Sequence, residues 1–109
     1  MIGIIGAMEV EAAKLKELCE EREEIQKGPY FFVKGELSGK EVVLCKAGIG
    51  KVNAAACTQA LIDTFSPSQI LNTGVAGAIA EEIHVLDLLV SKDAVQYDMD
   101  ATEFGYPRG

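Results

Sequence analysis

The chain opens on Ile2-Gly3-Ile4-Ile5, a short β-branched run ended by Gly6, and continuous apolar character over so few residues predicts a buried strand. Met8, Glu11, Leu15 and Leu18 then recur at helical spacing, with Ala12 and Cys19 beside them, while Glu9, Lys16, Glu20 and Glu23 fill the other side. That spacing predicts an amphipathic helix over 9–23, and the acidic run from Glu17 to Glu24 reads as its solvated end. Two β-prone runs follow, 30–37 (YFFVKGEL) and 41–45 (EVVLC), joined by Ser38-Gly39-Lys40. A short glycine-containing connection between such runs predicts an antiparallel hairpin.

Beyond Ala47-Gly48-Ile49-Gly50, residues 51–65 are rich in alanine, and small side chains on nearly every face predict a helix packed closely on both sides. Ser66-Pro67-Ser68 breaks it. Gln69-Ile70-Leu71-Asn72-Thr73 reads as another core strand running into Gly74-Val75-Ala76-Gly77-Ala78, and the apolar run 85–91 as a further strand. Residues 97–109 are polar and turn-rich. Strands alternating with helices, plus one antiparallel hairpin, predict an α/β fold with a mixed central sheet flanked by helices, and residues 1–109 read as part of a single domain. Neither an internal repeat nor an interdomain linker is evident.

Composition narrows the partners. Of 109 residues, 49% are hydrophobic and 25% charged, an ordinary globular balance that argues against a disordered or low-complexity chain. Ten Lys plus Arg against seventeen Asp plus Glu give a net charge of -7, whose field repels phosphate backbones and anionic lipid, so neither nucleic acid nor a membrane surface is an expected partner. Cys19, Cys45 and Cys57 lack metal or disulfide spacing and read as reduced, buried, inert thiols. The start reaches Glu9 without a basic segment, which fits neither a secretion signal nor a membrane span, and a cytoplasmic location is expected.

In open α/β sheets, ligands gather beyond the carboxyl ends of the core strands. Three small-residue loops fall there: Gly6-Ala7-Met8, Ala47-Gly48-Ile49-Gly50 and Gly74-Val75-Ala76-Gly77. They match neither a dinucleotide fingerprint nor a triphosphate loop, and glycines that merely make tight turns would look the same. Glu11 stands out because its spacing places it on the apolar stripe, in the first helical turn. There the helix dipole favours the carboxylate while desolvation opposes it, a combination suited to a general base. A glutamate that only complements the dipole also fits. Glu9 reads as a solvated charge, and the lone His84 has no partner at metal or triad spacing.

Taken together, Ile2-Gly3-Ile4-Ile5-Gly6-Ala7-Met8-Glu9-Val10-Glu11, Ala47-Gly48-Ile49-Gly50-Lys51-Val52-Asn53-Ala54-Ala55 and Asn72-Thr73-Gly74-Val75-Ala76-Gly77 strongly resemble the 5'-methylthioadenosine/S-adenosylhomocysteine nucleosidases of bacteria. Asp98-Met99-Asp100-Ala101-Thr102-Glu103-Phe104-Gly105-Tyr106 is similar to the same family. The resemblance covers the family's amino-terminal half and implies a nucleoside phosphorylase/hydrolase-like fold. It also implies a cytoplasmic homodimer without metal or organic cofactor, and hydrolysis of the N-glycosidic bond of an adenine thio-nucleoside by water, with release of adenine.

Carried over residue by residue, Glu11 matches the water-activating glutamate and Met8 the methionine beside the ribose. Ile49 matches a residue near the 5'-alkylthio group, and Val75, Ala76 and Gly77 the loop behind ribose and purine. Ala101 and Phe104 match the segment that closes the partner subunit's alkylthio pocket. Many relatives have serine where Val75 stands and glycine where Ala78 stands, so a hydrogen bond from that hydroxyl is absent. The purine-protonating aspartate, the ribose-gripping glutamate and the adenine-stacking aromatic belong to the family's second half, so residues 1–109 alone are expected to be inactive. The alternatives are a purine or uridine phosphorylase using phosphate, which would want an arginine-rich pocket where this chain has only Arg22 and Arg108, and a noncatalytic dimerisation or binding fragment.

Overall fold

A computed structural model describes residues 1–109, which form two compact units, Met1–Ala76 and Gly77–Gly109. The first unit holds β1 (Ile2–Gly6), α1 (Glu9–Leu18), β2 (Glu20–Lys27), β3 (Tyr30–Leu37), β4 (Lys40–Lys46), α2 (Lys51–Phe65) and β5 (Gln69–Thr73). Its sheet runs in the order β2-β3-β4-β1-β5. Pairing is antiparallel across β2, β3 and β4 and parallel from β4 through β1 to β5. This is the mixed α/β architecture expected from the sequence.

Alternation along the central strands divides the core into two layers. Ile5, Phe32, Val43 and Cys45 point to one face, where Cys57 and Leu61 of α2 cover them. Val33, Val42 and Leu44 point to the other, packed with Cys19 at the end of α1 and with Leu15. Gly3 lets α2 settle on β1, since a Cβ there would lie 2.8 Å from a Leu61 methyl.

The hairpin is found as expected, with Ser38 and Gly39 between β3 and β4, and the alanine-rich helix spans 51–65. Several expectations need correction. The first helix stops at Leu18, not at residue 23, because Cys19 leaves helical backbone and buries its side chain against the sheet. Residues 20–23, expected within that helix, instead open strand β2, which runs on to Lys27: Lys27 pairs with Tyr30 across Gly28-Pro29, and the ladder continues to Glu20 opposite Glu36. Register along β3 overrides a charged composition. The charges that disguised β2 suit its place at the sheet edge, where they discourage pairing with other chains.

The inward stripe of α1 also differs from Met8, Glu11, Leu15, Leu18. Ala12 and Cys19 are buried and Leu15 half-buried, whereas Leu18 is 57% exposed. Helix α2 is covered on one side only, with Cys57 and Leu61 buried but Val52, Ala55, Ala56 and Ile62 exposed, because the sheet is its sole neighbour in this unit. β5 pairs with β1 and with nothing on its other side, so Gln69 to Asn72 are exposed and it is an edge strand.

In the second unit the run 85–91 is irregular and exposed, not a strand, because no ladder partner lies beside it in that unit. Its order is local. The Asp100 carboxylate accepts the Thr102 hydroxyl at 2.6 Å and its N–H at 3.1 Å, and it pairs with Arg108. These contacts hold the Asp100 carboxyl down to about 2. A 3₁₀ turn follows at Thr102–Phe104.

The crossing from α1 to β2 passes directly over β3 at Gly35, where a Cβ would fall 2.5 Å from both the Glu20 carbonyl oxygen and Cys19 Sγ. A backbone atom cannot swing aside as a side-chain tip can. Gly35→Ala is therefore expected to destabilise the fold by about 1–3 kcal/mol, the range for overpacking. Chemical denaturation would check this, and an unchanged midpoint would refute the close crossing.

Candidate active site

The loops after β1, β4 and β5 lie side by side at the carboxyl ends of the parallel strands. Ala47 and Gly48 donate their N–H groups to the carbonyls of Gly6 and Ala7, at 2.9 and 3.2 Å, which ties the loop after β4 to the loop after β1. Asn53 stabilises the same turn by donating Nδ2 to the Ile49 carbonyl at 2.7 Å. A cavity of about 280 Å³ opens here, lined among others by Ala7, Gly48, Gly50, Lys51 and Asn72, so all three strand ends contribute. The N-terminus of α2 faces it from Gly50, whose φ of 101° suits a residue without a side chain.

Glu11 joins the third loop to the first. It sits in the first turn of α1 and is half-buried. Oε2 accepts the Met8 N–H at 2.8 Å, a bond that caps the helix, and Oε1 faces the Val75 N–H at 3.4 Å. One oxygen is thus tied to its own helix start and the other to the loop after β5. Gly6 flanks the stem, with Glu11 Cβ 3.3 Å from where a Cβ would stand. Both oxygens keep acceptor capacity for a third partner.

Around this carboxylate the other charges are occupied. Glu9 is exposed and accepts Lys16 at 2.9 Å, with Lys46 at 3.5 Å; the hydrogen bond from Lys16 is the main cause holding its carboxyl below the usual range. That agrees with a solvated charge. Arg22 lies on β2, at the opposite sheet edge from β5, and donates to the Lys16 carbonyl at 3.3 Å.

Met8, Glu11 and Val75 are brought together. Ile49 lies on the loop after β4 with its side chain 75% exposed, and Ala76 is exposed at the end of the first unit. Gly77, Ala101 and Phe104 belong to the second unit, where Gly77 and Phe104 are exposed and Ala101 is half-buried. His84 is exposed and turns toward Asp87, with Nδ1 3.8 Å from the carboxylate. The cysteines are free and buried; Cys45 and Cys57 stand 3.0 Å apart, and burial pushes both thiols up, which suppresses the reactive thiolate. No cluster of His, Cys, Asp and Glu suited to a metal ion is present, and no helix is long and apolar enough to cross a membrane.

Sequence reading missed the glycine cradle around Glu11 and the place of Asn72 in the cavity lining. Glu11 and Val75 are 64 residues apart, and local spacing carries no signal of such contacts.

Comparison with known proteins agrees with this fold. The chain is 52% identical over 109 residues to the 5'-methylthioadenosine/S-adenosylhomocysteine nucleosidase of Staphylococcus haemolyticus, covering all of this chain and 48% of that protein. Among solved structures, the Colwellia psychrerythraea nucleosidase in complex with adenine superposes with a TM-score of 0.94 at 44% identity, over 96% of this chain and 43% of that one. The Streptococcus pyogenes S-adenosylhomocysteine nucleosidase in complex with 5-methylthiotubericidin gives 0.95 at 37% identity, over 99% and 46%. The chain spans about half the length of the curated relatives it matches. The family model described as the phosphorylase superfamily matches residues 1–109, and the chain belongs to that superfamily.

Proposed function

We propose that the intact protein is an N-glycosyl hydrolase that releases adenine from 5'-methylthioadenosine and S-adenosylhomocysteine, with Glu11 activating the attacking water. The observation that carries this reading is the Glu11 carboxylate, oriented by the backbone N–H groups of Met8 and Val75 beside the joined loops. As an anion it accepts a proton from water while the water oxygen bonds to the anomeric carbon of an oxocarbenium-like ribose. The departing adenine takes a proton from an acid in the part of the relatives' length that this chain does not span, so residues 1–109 alone release adenine negligibly. Water and nucleoside are the only reactants, without metal or organic cofactor.

In this reading Met8 contacts the ribose, Ile49 the 5'-alkylthio group, and Val75, Ala76 and Gly77 back ribose and purine. Ala101 and Phe104 close the alkylthio pocket of the partner in a cytoplasmic homodimer. Phosphate as the nucleophile is disfavoured by the position of Arg22, at the far edge of the sheet.

The test is adenine release from 5'-methylthioadenosine by the intact protein in phosphate-free buffer. Release at a rate unaffected by added phosphate is expected. Release that requires phosphate and yields a pentose 1-phosphate would make the enzyme a phosphorylase, and an absence of base release would end the reading.

A further inference from the structure

Gly74, the first residue after β5, has a φ outside the left-handed region, so its backbone does not call for glycine. What it faces does. A Cβ built there would lie 2.7 Å from Glu11 Oε1, 3.2 Å from Cδ and 3.6 Å from Oε2, and these are its three nearest heavy atoms. A separation under 3.0 Å forces something to move, and a carboxylate at the end of three rotatable bonds moves before the backbone does. We propose that Gly74 is a positioning residue: its missing side chain admits the Glu11 carboxylate to the Val75 N–H and so fixes the direction in which that carboxylate meets water.

The proposal rests on the reading of Glu11 as the water-activating base. Gly74→Ala would swing Oε1 away from the Val75 amide while leaving core packing untouched, because the obstruction is a side-chain tip beside an exposed loop. A displacement near 1 Å at a catalytic group costs on the order of 10²-fold in rate. Substrate affinity, which draws on many other contacts, changes far less.

The experiment compares wild-type and Gly74→Ala intact protein by steady-state adenine release, thermal unfolding and ¹⁵N-resolved amide spectra. Expected are a kcat lower by about 10²-fold, a KM within a few-fold, and a Val75 amide proton moved upfield as its acceptor leaves. An unmoved Val75 amide together with an unchanged kcat overturns the proposal. A moved amide with unchanged kcat supports the positioning and overturns instead the role assigned to Glu11. Should Gly74→Ala fail to fold, Glu11→Ala is added. Recovery of folding in the double variant supports the proposal, since the obstructing atoms are gone, and continued misfolding overturns it.

Discussion

Glu11→Gln is expected to lower adenine release by the intact protein by about 10²–10⁴-fold, the span that general acid–base help supplies. Glutamine keeps the size of the side chain but loses the charge and the ability to take a proton. It also loses half of its seat. Glu11 presents an acceptor oxygen to each of two backbone donors, Met8 N–H and Val75 N–H. An amide has one such oxygen, so whichever donor faces its NH₂ group is left unpaired, at a stability cost of about 1–3 kcal/mol if that donor is shut off from water. Because Glu11 is only half-buried, the stability loss falls at the low end and the kinetic loss dominates. Paired assays of kcat and unfolding midpoint separate the two. A rate within a few-fold of wild type would remove Glu11 from the reaction.

The largest structural effect is expected at Phe32. It is fully buried, pairs with Ile25 on β2 and Cys45 on β4, and meets the Phe65 ring edge-on at 5.1 Å and 66°. Tyr30 lies alongside at 6.4 Å between ring centroids. One side chain therefore joins the three antiparallel strands to the carboxyl end of α2. Phe32→Ala should cost about 3–5 kcal/mol through lost burial and the cavity left behind. In denaturant titration the midpoint should fall while the slope stays constant. A loss below about 1 kcal/mol would mean that α2 does not depend on this contact. Because the other end of α2 lines the cavity, loosening here also degrades the candidate site.

The elements legible in the sequence were those whose pattern is local. The Ile2–Ile5 run, the hairpin around Ser38-Gly39 and the alanine-rich helix declare themselves through β-branching, turn chemistry and composition. β2 did not, because Ile25 is its one apolar residue and its strand conformation comes from pairing with β3. The Gly28-Pro29 turn before Tyr30 was the available signal. The run 85–91 erred in the opposite direction: it has the composition of a buried strand, but a strand exists only where a ladder partner does.

For the candidate site, helical spacing and position in the first turn singled out Glu11. Neither could reveal that its carboxylate is held from the loop after β5 across a glycine. That contact depends on β1 and β5 lying side by side, with Gly6 opposite Thr73. Such a register is a property of the assembled sheet.

The division of the sheet at β4 has a consequence for how the molecule assembles. On one side of β4 lies a meander, β2-β3-β4, whose partners are joined by tight turns; on the other, β1 and β5 reach their places from distant parts of the chain. Short-range pairings close quickly and long-range parallel ones slowly, since the loop entropy is lost before the contacts compensate it. The meander is thus expected to form early and β5 to dock late. A partly folded molecule already carries Glu11 on its helix, but the Val75 amide arrives only with β5, so the two-donor seat of the Glu11 carboxylate is the last part of this loop cluster to be completed.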